Sequence, residues 1–451
     1  MRDQSARLLR GDCVELMAQL PAGSIDAIVT DPPYDLTAVS RGGSPRQFVD
    51  NPYGRSRLGT DRGGFMGKTW DSTGVAFRVD TWRVALRVLK PGAHLLAFGG
   101  TRTYHRMACA MEDAGFEIRD SIVWLYGSGF PKSTRIRGAG WEGWGTALKP
   151  GHETIVVARK PLSQRSVETN VQEHGTGAIN IDACRIHSVG SESRPYTVRR
   201  LNPGAAVNAG GGWRQEREYQ GQTTSGRWPA NVVLSHAPGC QLVGTRKVPA
   251  ITGTRSGSWR HGHQYSGGWQ GAGPNELGER IGFGSDDGTE AVEAWECLPG
   301  CPVAELDQQS GRSKSRRGEP RAASESGIAF RLTHSGAEYD DTGGASRFFY
   351  VAKPSTRERN RGLGGRGNDH PTVKPVMLLR HLCRLVTPPG GLVLDPFAGS
   401  GSTGVAAVTE GFRFVAIEID GHYLGIAHAR IKHATSKQRQ GRRDLLEDQV
   451  A

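Results

Sequence analysis

The fold class is decided by one stretch near the end of the chain, residues 392–418, which read LVLDPFAGSGSTGVAAVTEGFRFVAIE. The stretch begins with the apolar run Leu392–Leu394 and continues through a glycine-rich loop into small and apolar residues typical of a short helix. A second apolar run, Phe414–Ile417, ends at Glu418. The order strand, glycine loop, helix, strand and acid is typical of the cofactor-binding half of an open α/β sheet.

The glycines of this loop have the spacing G-x-G-x-x-G at Gly399, Gly401 and Gly404. Such glycines allow a cofactor to approach the backbone closely, and an acid such as Glu418 accepts hydrogen bonds from ribose hydroxyls. The pattern alone fits a nicotinamide oxidoreductase as well as an enzyme that uses S-adenosylmethionine, and a glycine turn that serves only packing is a further alternative. S-adenosylmethionine differs in having no pyrophosphate for a helix N-terminus to bind.

A second motif lies near the start of the chain, where the apolar run Ile25–Val29 leads to Asp31-Pro32-Pro33-Tyr34. Proline cannot continue strand pairing, so the motif is predicted at the carboxyl end of a buried parallel strand, where open α/β sheets bind their ligands. The alternative is a strand-terminating turn with a surface tyrosine.

The four residues suit methylation of an exocyclic amine of a base, which is a poor nucleophile because its lone pair is delocalised into the ring. The Asp31 carboxylate and the Pro32 carbonyl would accept the two N–H groups of the amine and localise that lone pair. Two prolines would hold the acceptors rigidly. Tyr34 offers a flat face on which a base rotated out of the duplex would stack.

The two motifs occur in an order that resembles the DNA amino-methyltransferases of the permuted β group, including its phage-like members. In that group D-P-P-Y comes first, a target-recognition region follows, and F-x-G-x-G, here Phe397–Gly401, comes last. The segment His370-Pro371-Thr372-Val373-Lys374-Pro375 is similar to the one that lines the cofactor pocket of the group. The resemblance covers roughly residues 6–160 and 345–433.

The resemblance implies a doubly wound α/β sheet, S-adenosylmethionine as cofactor and double-stranded DNA as partner. It implies a site-specific methyltransferase that acts on N6 of adenine, because in the group an Asp before the two prolines favours adenine, whereas Ser is commoner in enzymes that act on cytosine. N4-cytosine and RNA methylation remain alternatives, as does a nucleic-acid-binding protein with an inactive cofactor fold.

The catalytic residues implied are Asp31, Pro32, Pro33 and Tyr34. The cofactor-binding residues implied are Asp12, His370, Thr372, Lys374, Asp395, Phe397, Gly399, Gly401, Ser402, Thr403 and Glu418. Taken without the resemblance, Asp12 fits an exposed turn, and His370 and Lys374 fit a solvated surface.

The domain organisation follows from where the periodicity holds, since a chain of 451 residues exceeds the roughly 250–300 residues of a single core. We expect a catalytic half at 1–160, an irregular target-recognition insertion at 161–344, a cofactor-binding half at 345–433 and a basic, flexible tail at 434–451. The insertion contains Asn231–Leu234 as a short strand. A helix with Pro375 in its first turn is predicted before Pro388.

The charge and the cysteines bear on the partner and the compartment. The formal charge is +12, which favours a polyanionic partner or a solubilising surface. Two basic clusters support a DNA partner: Arg312, Lys314, Arg316, Arg317 and Arg321, and then Arg430, Lys432, Lys437, Arg439, Arg442 and Arg443. Seven cysteines, no charged-then-apolar leader and no apolar run of about 20 residues predict a cytoplasmic protein without a membrane partner.

Four residues of the insertion suggest a structural zinc site, namely His236 and Cys240, and later Cys297 and Cys301. Cys and His are the usual ligands of structural zinc. Both pairs have three intervening residues rather than the usual two between cysteines, so unconnected thiols are the alternative. Methyl transfer to an amine needs no cysteine nucleophile.

Overall fold

The computed structural model describes most of the chain. The described residues are 5–34, 48–49, 56–57, 73–126, 135–136, 140–186, 195–201, 216–222, 227–237, 240–249, 289–299, 301–311, 313–314, 342–343, 345–351 and 356–448. They form two compact units. The first unit comprises residues 1–180, 231–238 and 351–451, and the second comprises residues 181–230 and 239–350.

The strands and helices are numbered in chain order. The strands are β1 Ala6–Arg10, β2 Ile25–Thr30, β3 Phe48–Val49, β4 Ser56–Arg57, β5 Leu89–Gly99, β6 Glu117–Tyr126, β7 His152–Arg159, β8 Pro195–Leu201, β9 Glu216–Gln222, β10 Val232–Ser235, β11 Gln241–Pro249, β12 Thr289–Glu296, β13 Ser313–Lys314, β14 Thr342–Gly343, β15 Tyr350–Val351, β16 Leu392–Asp395 and β17 Arg413–Glu418. The α-helices are α1 Cys13–Gln19, α2 Val79–Val88, α3 Tyr104–Asp113, α4 Val167–His174, α5 Pro302–Ser310, α6 Thr356–Arg359, α7 Val376–Val386, α8 Ser402–Thr409 and α9 Gly421–Asp448. Short 3-10 turns lie at Val75–Phe77, Asp182–Cys184 and Ala345–Phe348.

A nine-stranded sheet has the order β1-β17-β16-β2-β5-β7-β6-β10-β15. The pairs from β1 to β5 are all parallel, and β7 runs antiparallel to both β5 and β6. Strands from the two ends of the chain are neighbours in the sheet, because β17 pairs with β1 and β16 pairs with β2. The sheet confirms the predicted α/β core, which the first and last parts of the chain build together.

Helices cover both faces of the sheet. Ile28 of β2 and Leu95 of β5 belong to a core cluster with residues of α1, α2 and α3. Their sequence neighbours, Ala27 and Leu96, are equally buried but lie outside that cluster. Successive side chains of a strand point to opposite faces, so the second set faces away from these three helices. Helices α7, α8 and α9 pack on one another, and α7 contacts β2 and β5. This arrangement is doubly wound, with both faces buried as parallel sheets require.

Helix α7 lies before Pro388 as predicted, but Pro375 is its N-cap residue rather than part of its first turn, and most of its side chains are buried. The segment Asn231–Leu234 differs from its prediction. It was expected in the inserted module, but β10 pairs in parallel with β6 and belongs to the first unit. The first unit also extends past the expected boundary at 160 to Asn180. A short strand cannot be assigned to one module or another from its own sequence, because pairing depends on the partner strand.

The second unit, within its described residues, consists of paired strands and one helix. Antiparallel pairs form between β8 and β9, between β11 and β12, and between β13 and β14, and α5 follows β12. This composition of short pairs and loops agrees with the weak periodicity of residues 161–344.

The C-terminal stretch expected as a flexible tail from residue 434 is helical, because α9 continues to Asp448. Arg430 of the predicted basic cluster is 2% exposed and therefore does not belong to a basic surface. Of the other cluster, Arg312, Arg316, Arg317 and Arg321 lie outside the described residues. Within the described part of the chain, no helix is both long and apolar enough to cross a membrane.

Candidate active site

The Asp31-Pro32-Pro33-Tyr34 motif directly follows β2, at the carboxyl end of the parallel strands. The side chain of Asp31 is 20% exposed, and its two carboxylate oxygens differ. Oδ2 accepts a hydrogen bond from Nζ of Lys374 at 2.6 Å. Oδ1 is buried and has no hydrogen-bond partner among the described residues. An unsatisfied buried carboxylate oxygen is costly, so Oδ1 is a candidate acceptor for a ligand.

Lys374 lies between two acids and two aromatic rings. Its Nζ is 2.6 Å from Asp31 and 3.4 Å from Oε2 of Glu153, and it lies 5.2 Å and 5.1 Å from the ring centroids of Tyr34 and Phe98. Burial lowers the pKa of Lys374, but the two carboxylates outweigh burial and raise that pKa above its ordinary value. Lys374 therefore remains a cation at neutral pH.

Burial also raises the pKa of the Asp31 carboxyl above its ordinary range, and the negative charge of Glu153 raises it further. The ammonium of Lys374 opposes both effects. Beyond burial, the pKa of Asp31 thus depends on two neighbours of opposite charge, and each of them can be altered separately.

Glu153 is a site residue that the sequence analysis missed. Its Oε2 accepts a hydrogen bond from the Tyr34 hydroxyl at 2.7 Å, and Thr103 donates to the backbone carbonyl of Tyr34 at 3.0 Å. Glu153 reaches the site because β7 is antiparallel to β5, with Thr154 opposite Gly99, so that the start of β7 lies at the carboxyl edge of the parallel strands. Burial, together with Asp31 and Glu153, raises the pKa of Tyr34 well above its ordinary value, so Tyr34 remains a phenol.

The glycine loop follows β16, which pairs with β2, and the two motifs are therefore neighbours in space. The hydroxyl of Thr30 donates to Oδ1 of Asp395 at 2.6 Å, and the same oxygen accepts the N–H of Phe397 at 3.1 Å. Burial raises the pKa of Asp395 to about 6, although its hydrogen bonds oppose this. Asp395 thus fixes the start of the loop and joins it to the strand that ends at Asp31.

Glu418 and Gly399 close the loop. Gly399 has φ +50°, and its N–H donates to Oε2 of Glu418 at 2.7 Å. The carboxylate of Glu418 lies at the end of β17 and is 9% exposed, and its burial raises its pKa. A Cβ at Gly399 would lie 2.7 Å from Nε2 of His370, which is too close. The glycine is therefore required where the loop meets the His370 segment.

The His370 segment is held against the loop by several contacts. The His370 ring packs edge-on against Tyr423 at 4.6 Å between centroids, and Thr372 donates its N–H to Nδ1 of His370 at 3.4 Å. Burial, together with the charges of Lys374 and Arg359, lowers the pKa of His370 to about 4, so the imidazole is neutral. His370 and Lys374 are both largely buried, unlike the solvated surface considered from sequence alone.

Other residues of the predicted cofactor set have structural partners. A Cβ at Gly401 would lie 2.8 Å from the Cβ of Ala427, so this glycine is required for the packing of α9. Arg430 of α9 donates to the Ser400 carbonyl at 2.6 Å and to the Ser402 hydroxyl at 3.1 Å. Thr403 is buried near the start of α8. Arg430, which we expected on a DNA-binding surface, thus stabilises the loop from inside the core.

Asp12 is the N-cap of α1, where its Oδ1 accepts the N–H of Val14 at 2.8 Å and of Glu15 at 3.1 Å. This contact explains an acid at position 12 without a ligand. The preceding Gly11 donates its N–H to the backbone carbonyl of Glu418 at 3.1 Å, which brings Asp12 to the edge where the loop lies. Its role in binding the cofactor, which the resemblance implies, stays a prediction.

The predicted zinc ligands fall into two groups. Cys240, Cys297 and Cys301 belong to the second unit, and their sulfur atoms lie within 4.8 Å of one another. His236 directly follows β10 in the first unit and is buried. All seven cysteines of the chain are thiols rather than disulfides.

Known proteins similar to this chain are DNA methylases. The sequence matches the N6/N4 DNA methylase family profile over residues 25–429. DNA adenine methyltransferase YhdJ of Escherichia coli strain K12 is 40% identical over 77 residues, which are 17% of this chain and 26% of that protein. Type II methyltransferase M2.DpnII of Streptococcus pneumoniae is 46% identical over 63 residues, 14% of this chain and 24% of that protein. The chain thus spans about a quarter of the length of these two curated relatives.

Two solved structures are similar at lower identity. The complex of M1.HpyAVI with SAM has 12% identity and a TM-score of 0.35, and the similarity covers 94% of this chain and 99% of that one. The cytosine-N4-specific PvuII DNA methyltransferase has 13% identity and a TM-score of 0.41, and the similarity covers 97% and 93%. The family profile covers residues 25–429 and therefore both motifs of the site. The chain belongs to the N6/N4 DNA methylase family.

Proposed function

We propose that this chain transfers a methyl group from S-adenosylmethionine to an exocyclic amine of a base in duplex DNA, and that the amine is N6 of adenine. The observation that carries the proposal is Oδ1 of Asp31, a buried acceptor without a hydrogen-bond partner among the described residues. It lies at the carboxyl end of β2, the strand whose Thr30 is hydrogen-bonded to Asp395 at the start of the glycine loop.

The target amine has two N–H groups, and the motif has two acceptors for them. Oδ1 of Asp31 would accept one N–H and the carbonyl of Pro32 the other. Lys374 holds the carboxylate in place through Oδ2, so Oδ1 keeps its position before the base arrives. Acceptors that are fixed in advance localise the nitrogen lone pair without reorganisation during the reaction.

The base would leave the duplex and stack on Tyr34. The hydroxyl bond to Glu153 and the backbone bond from Thr103 fix the tyrosine at both ends. A fixed aromatic ring provides a stacking surface for a flipped base with little loss of side-chain entropy. Glu153 therefore acts as a positioning residue, since it contacts Tyr34 and Lys374 rather than the reacting atoms.

The residues around the glycine loop fit S-adenosylmethionine. When bound, this cofactor supplies a methyl group activated by a positively charged sulfonium. Asp395 and Glu418 are the acids that flank the loop, and they suit ribose hydroxyls and a cation better than the negative pyrophosphate of a nicotinamide cofactor. Gly399 and the neutral His370 shape the wall beside Glu418. The residues of the chain would thus bind and orient the cofactor without forming a bond to it.

Adenine is favoured over cytosine on two grounds. The motif begins with Asp rather than Ser, and the 40% identical segment is shared with a protein named as a DNA adenine methyltransferase. The name of the pneumococcal relative, a type II methyltransferase, supports a role in DNA modification. Duplex DNA as partner is also consistent with the formal charge of +12.

The proposal is tested by incubating the purified chain with S-adenosylmethionine labelled in its methyl group and, in parallel reactions, with duplex DNA of mixed sequence or with RNA. Each nucleic acid is then digested and its nucleosides are separated. We expect the label in N6-methyladenine. Label in N4-methylcytosine would mean that the target is cytosine rather than adenine. Label in RNA but not in DNA would mean that the substrate is RNA. Absence of label from both nucleic acids would overturn the activity.

A further inference from the structure

Three cysteines of the second unit lie together in a way that the proposed methyl transfer does not use. The sulfur atoms of Cys240, Cys297 and Cys301 lie within 4.8 Å of one another, and all three are thiols. Cys240 and Cys301 are buried, at 5% and 0% exposure. Cysteine is a usual ligand of structural zinc, so three thiols this close together form a candidate metal site.

The backbone brings the three sulfurs together. Cys240 directly precedes β11 and Cys297 directly follows β12, and in this antiparallel pair Gln241 lies opposite Glu296. The register therefore places Cys240 beside Cys297. Cys301 is the N-cap residue of α5, and its N–H donates to the carbonyl of Leu298 at 3.1 Å, which closes a tight turn after Cys297.

A backbone donor also points to the cluster. The N–H of Leu298 donates to Sγ of Cys240 at 3.4 Å. Hydrogen bonds from the backbone to sulfur favour thiolates, and such bonds are a regular part of the surroundings of metal ligands. The observation is independent of the closeness of the three sulfurs.

The fourth ligand follows from the sequence. Structural zinc is tetrahedral, and three cysteines with one histidine are one of its usual ligand sets. His236, which the sequence predicts as the fourth ligand, is buried and precedes Cys240 by four residues in the chain. Thiolate and imidazole are soft or intermediate ligands, which favour zinc over magnesium or calcium.

We infer that Cys240, Cys297 and Cys301 supply three of the four ligands of one structural Zn²⁺. The ion would join the ends of the β11–β12 pair to the start of α5. A metal is a common substitute for an apolar core in small modules. The inference concerns neither the cofactor nor Asp31, so it can fail while the proposed methyl transfer holds.

The test uses the full chain produced in zinc-supplemented medium and measures its metal content by mass spectrometry. We expect about one zinc per chain, as for a closed structural site. Cys297→Ser and Cys301→Ser should each lower the zinc content several-fold. Cys109→Ser is the matched control, because Cys109 is an exposed thiol on α3, and it should retain the zinc. Equal zinc content in the control and the two site variants would overturn the inference.

A second measurement does not depend on variants that fold. The zinc of the wild-type chain is removed with a chelator under reducing conditions, and Co²⁺ is titrated in. We expect the visible bands of tetrahedral cobalt together with thiolate-to-cobalt charge-transfer absorption, saturating near one Co²⁺ per chain. Addition of Zn²⁺ should abolish the spectrum. Absence of the charge-transfer band would overturn the inference.

Discussion

The ammonium of Lys374 lies 2.6 Å from Oδ2 of Asp31, although 343 residues separate the two in the sequence. The contact commits one oxygen of the carboxylate to a cation and leaves the other, Oδ1, as a buried acceptor without a partner among the described residues. The carboxylate comes from the end of β2 and the ammonium from the segment before α7, so both ends of the chain are needed to build the acceptor.

The pH dependence of methyl transfer should respond in opposite directions to the two neighbours of Asp31. Transfer requires the ionised carboxylate, so the rate should rise with pH through the pKa of Asp31. Glu153→Gln removes a negative charge that raises this pKa, and the acidic limb should move to lower pH. Lys374→Met removes the cation that lowers it, and the limb should move to higher pH. Single-turnover rates from pH 5 to 9 measure both shifts.

Glutamine is the appropriate replacement for Glu153, because its amide oxygen can still accept the hydroxyl of Tyr34. If the acidic limb shifted in the same direction in Glu153→Gln and in Lys374→Met, a group other than Asp31 would set the pH profile.

The hydroxyl and the aromatic face of Tyr34 should both contribute to methyl transfer. Tyr34→Phe keeps the ring but loses the bond to the Glu153 carboxylate, which is worth about 1.5–3 kcal/mol or roughly a 10- to 150-fold loss of kcat/KM. Tyr34→Ala also loses the stacking of the base, about 1–3 kcal/mol more. The measurement is kcat/KM on duplex DNA for both variants. If kcat/KM of the alanine variant were no lower than that of the phenylalanine variant, the proposed stacking of the base on Tyr34 would be wrong.

Gly399→Ala should weaken the binding of S-adenosylmethionine. The added Cβ would lie 2.7 Å from Nε2 of His370 and displace the segment beside Glu418. We expect the Kd from calorimetry to rise more than about tenfold, corresponding to roughly 1.4 kcal/mol. Gly390→Ala is the control, since φ is +69° there but the added Cβ would meet no described heavy atom within 4 Å. Equal Kd values for both variants would show that backbone strain, not the His370 contact, explains the effect.

Arg430→Met should lower the stability of the chain rather than only its affinity for DNA. The side chain is 2% exposed and donates to Ser400 and Ser402, so its loss leaves buried acceptors unsatisfied, at a cost of about 1–3 kcal/mol. Thermal unfolding should show a lower Tm. Lys432→Met removes the same charge from an exposed position of α9 and should leave Tm unchanged. Equal Tm values together with equal losses of DNA affinity would place Arg430 on the binding surface instead.

The sequence was sufficient for the fold class and for the segments that carry the two motifs. Residues 25–29 and 392–394 form buried parallel strands, and their apolar runs are long enough to identify without tertiary information. The helix after Pro375 was also predictable, because its apolar residues repeat with helical spacing. These features depend only on residues that are close together in the sequence, so they can be predicted without knowledge of tertiary contacts.

The features that were missed depend on pairing between distant segments. Glu153 reaches the site only because β7 is antiparallel to its neighbours, and the direction of a strand is not encoded in its apolar pattern. The burial of Arg430 depends on the packing of α9 against the glycine loop, whereas its sequence neighbours suggested a basic surface. The role of Lys374 likewise depends on its contact with Asp31, which is 343 residues away in the sequence.

The most direct test of the account is the single-turnover methyl transfer rate of Asp31→Asn at saturating DNA and S-adenosylmethionine, with cofactor affinity measured on the same preparation. Asparagine keeps one acceptor but removes the charge. We expect the rate to fall by about 10²–10³, as when one preorganised electrostatic group is removed, while the Kd for S-adenosylmethionine changes less than about threefold. A rate close to that of the wild type, with the cofactor still bound, would contradict the assignment of Asp31 as the acceptor of the target amine.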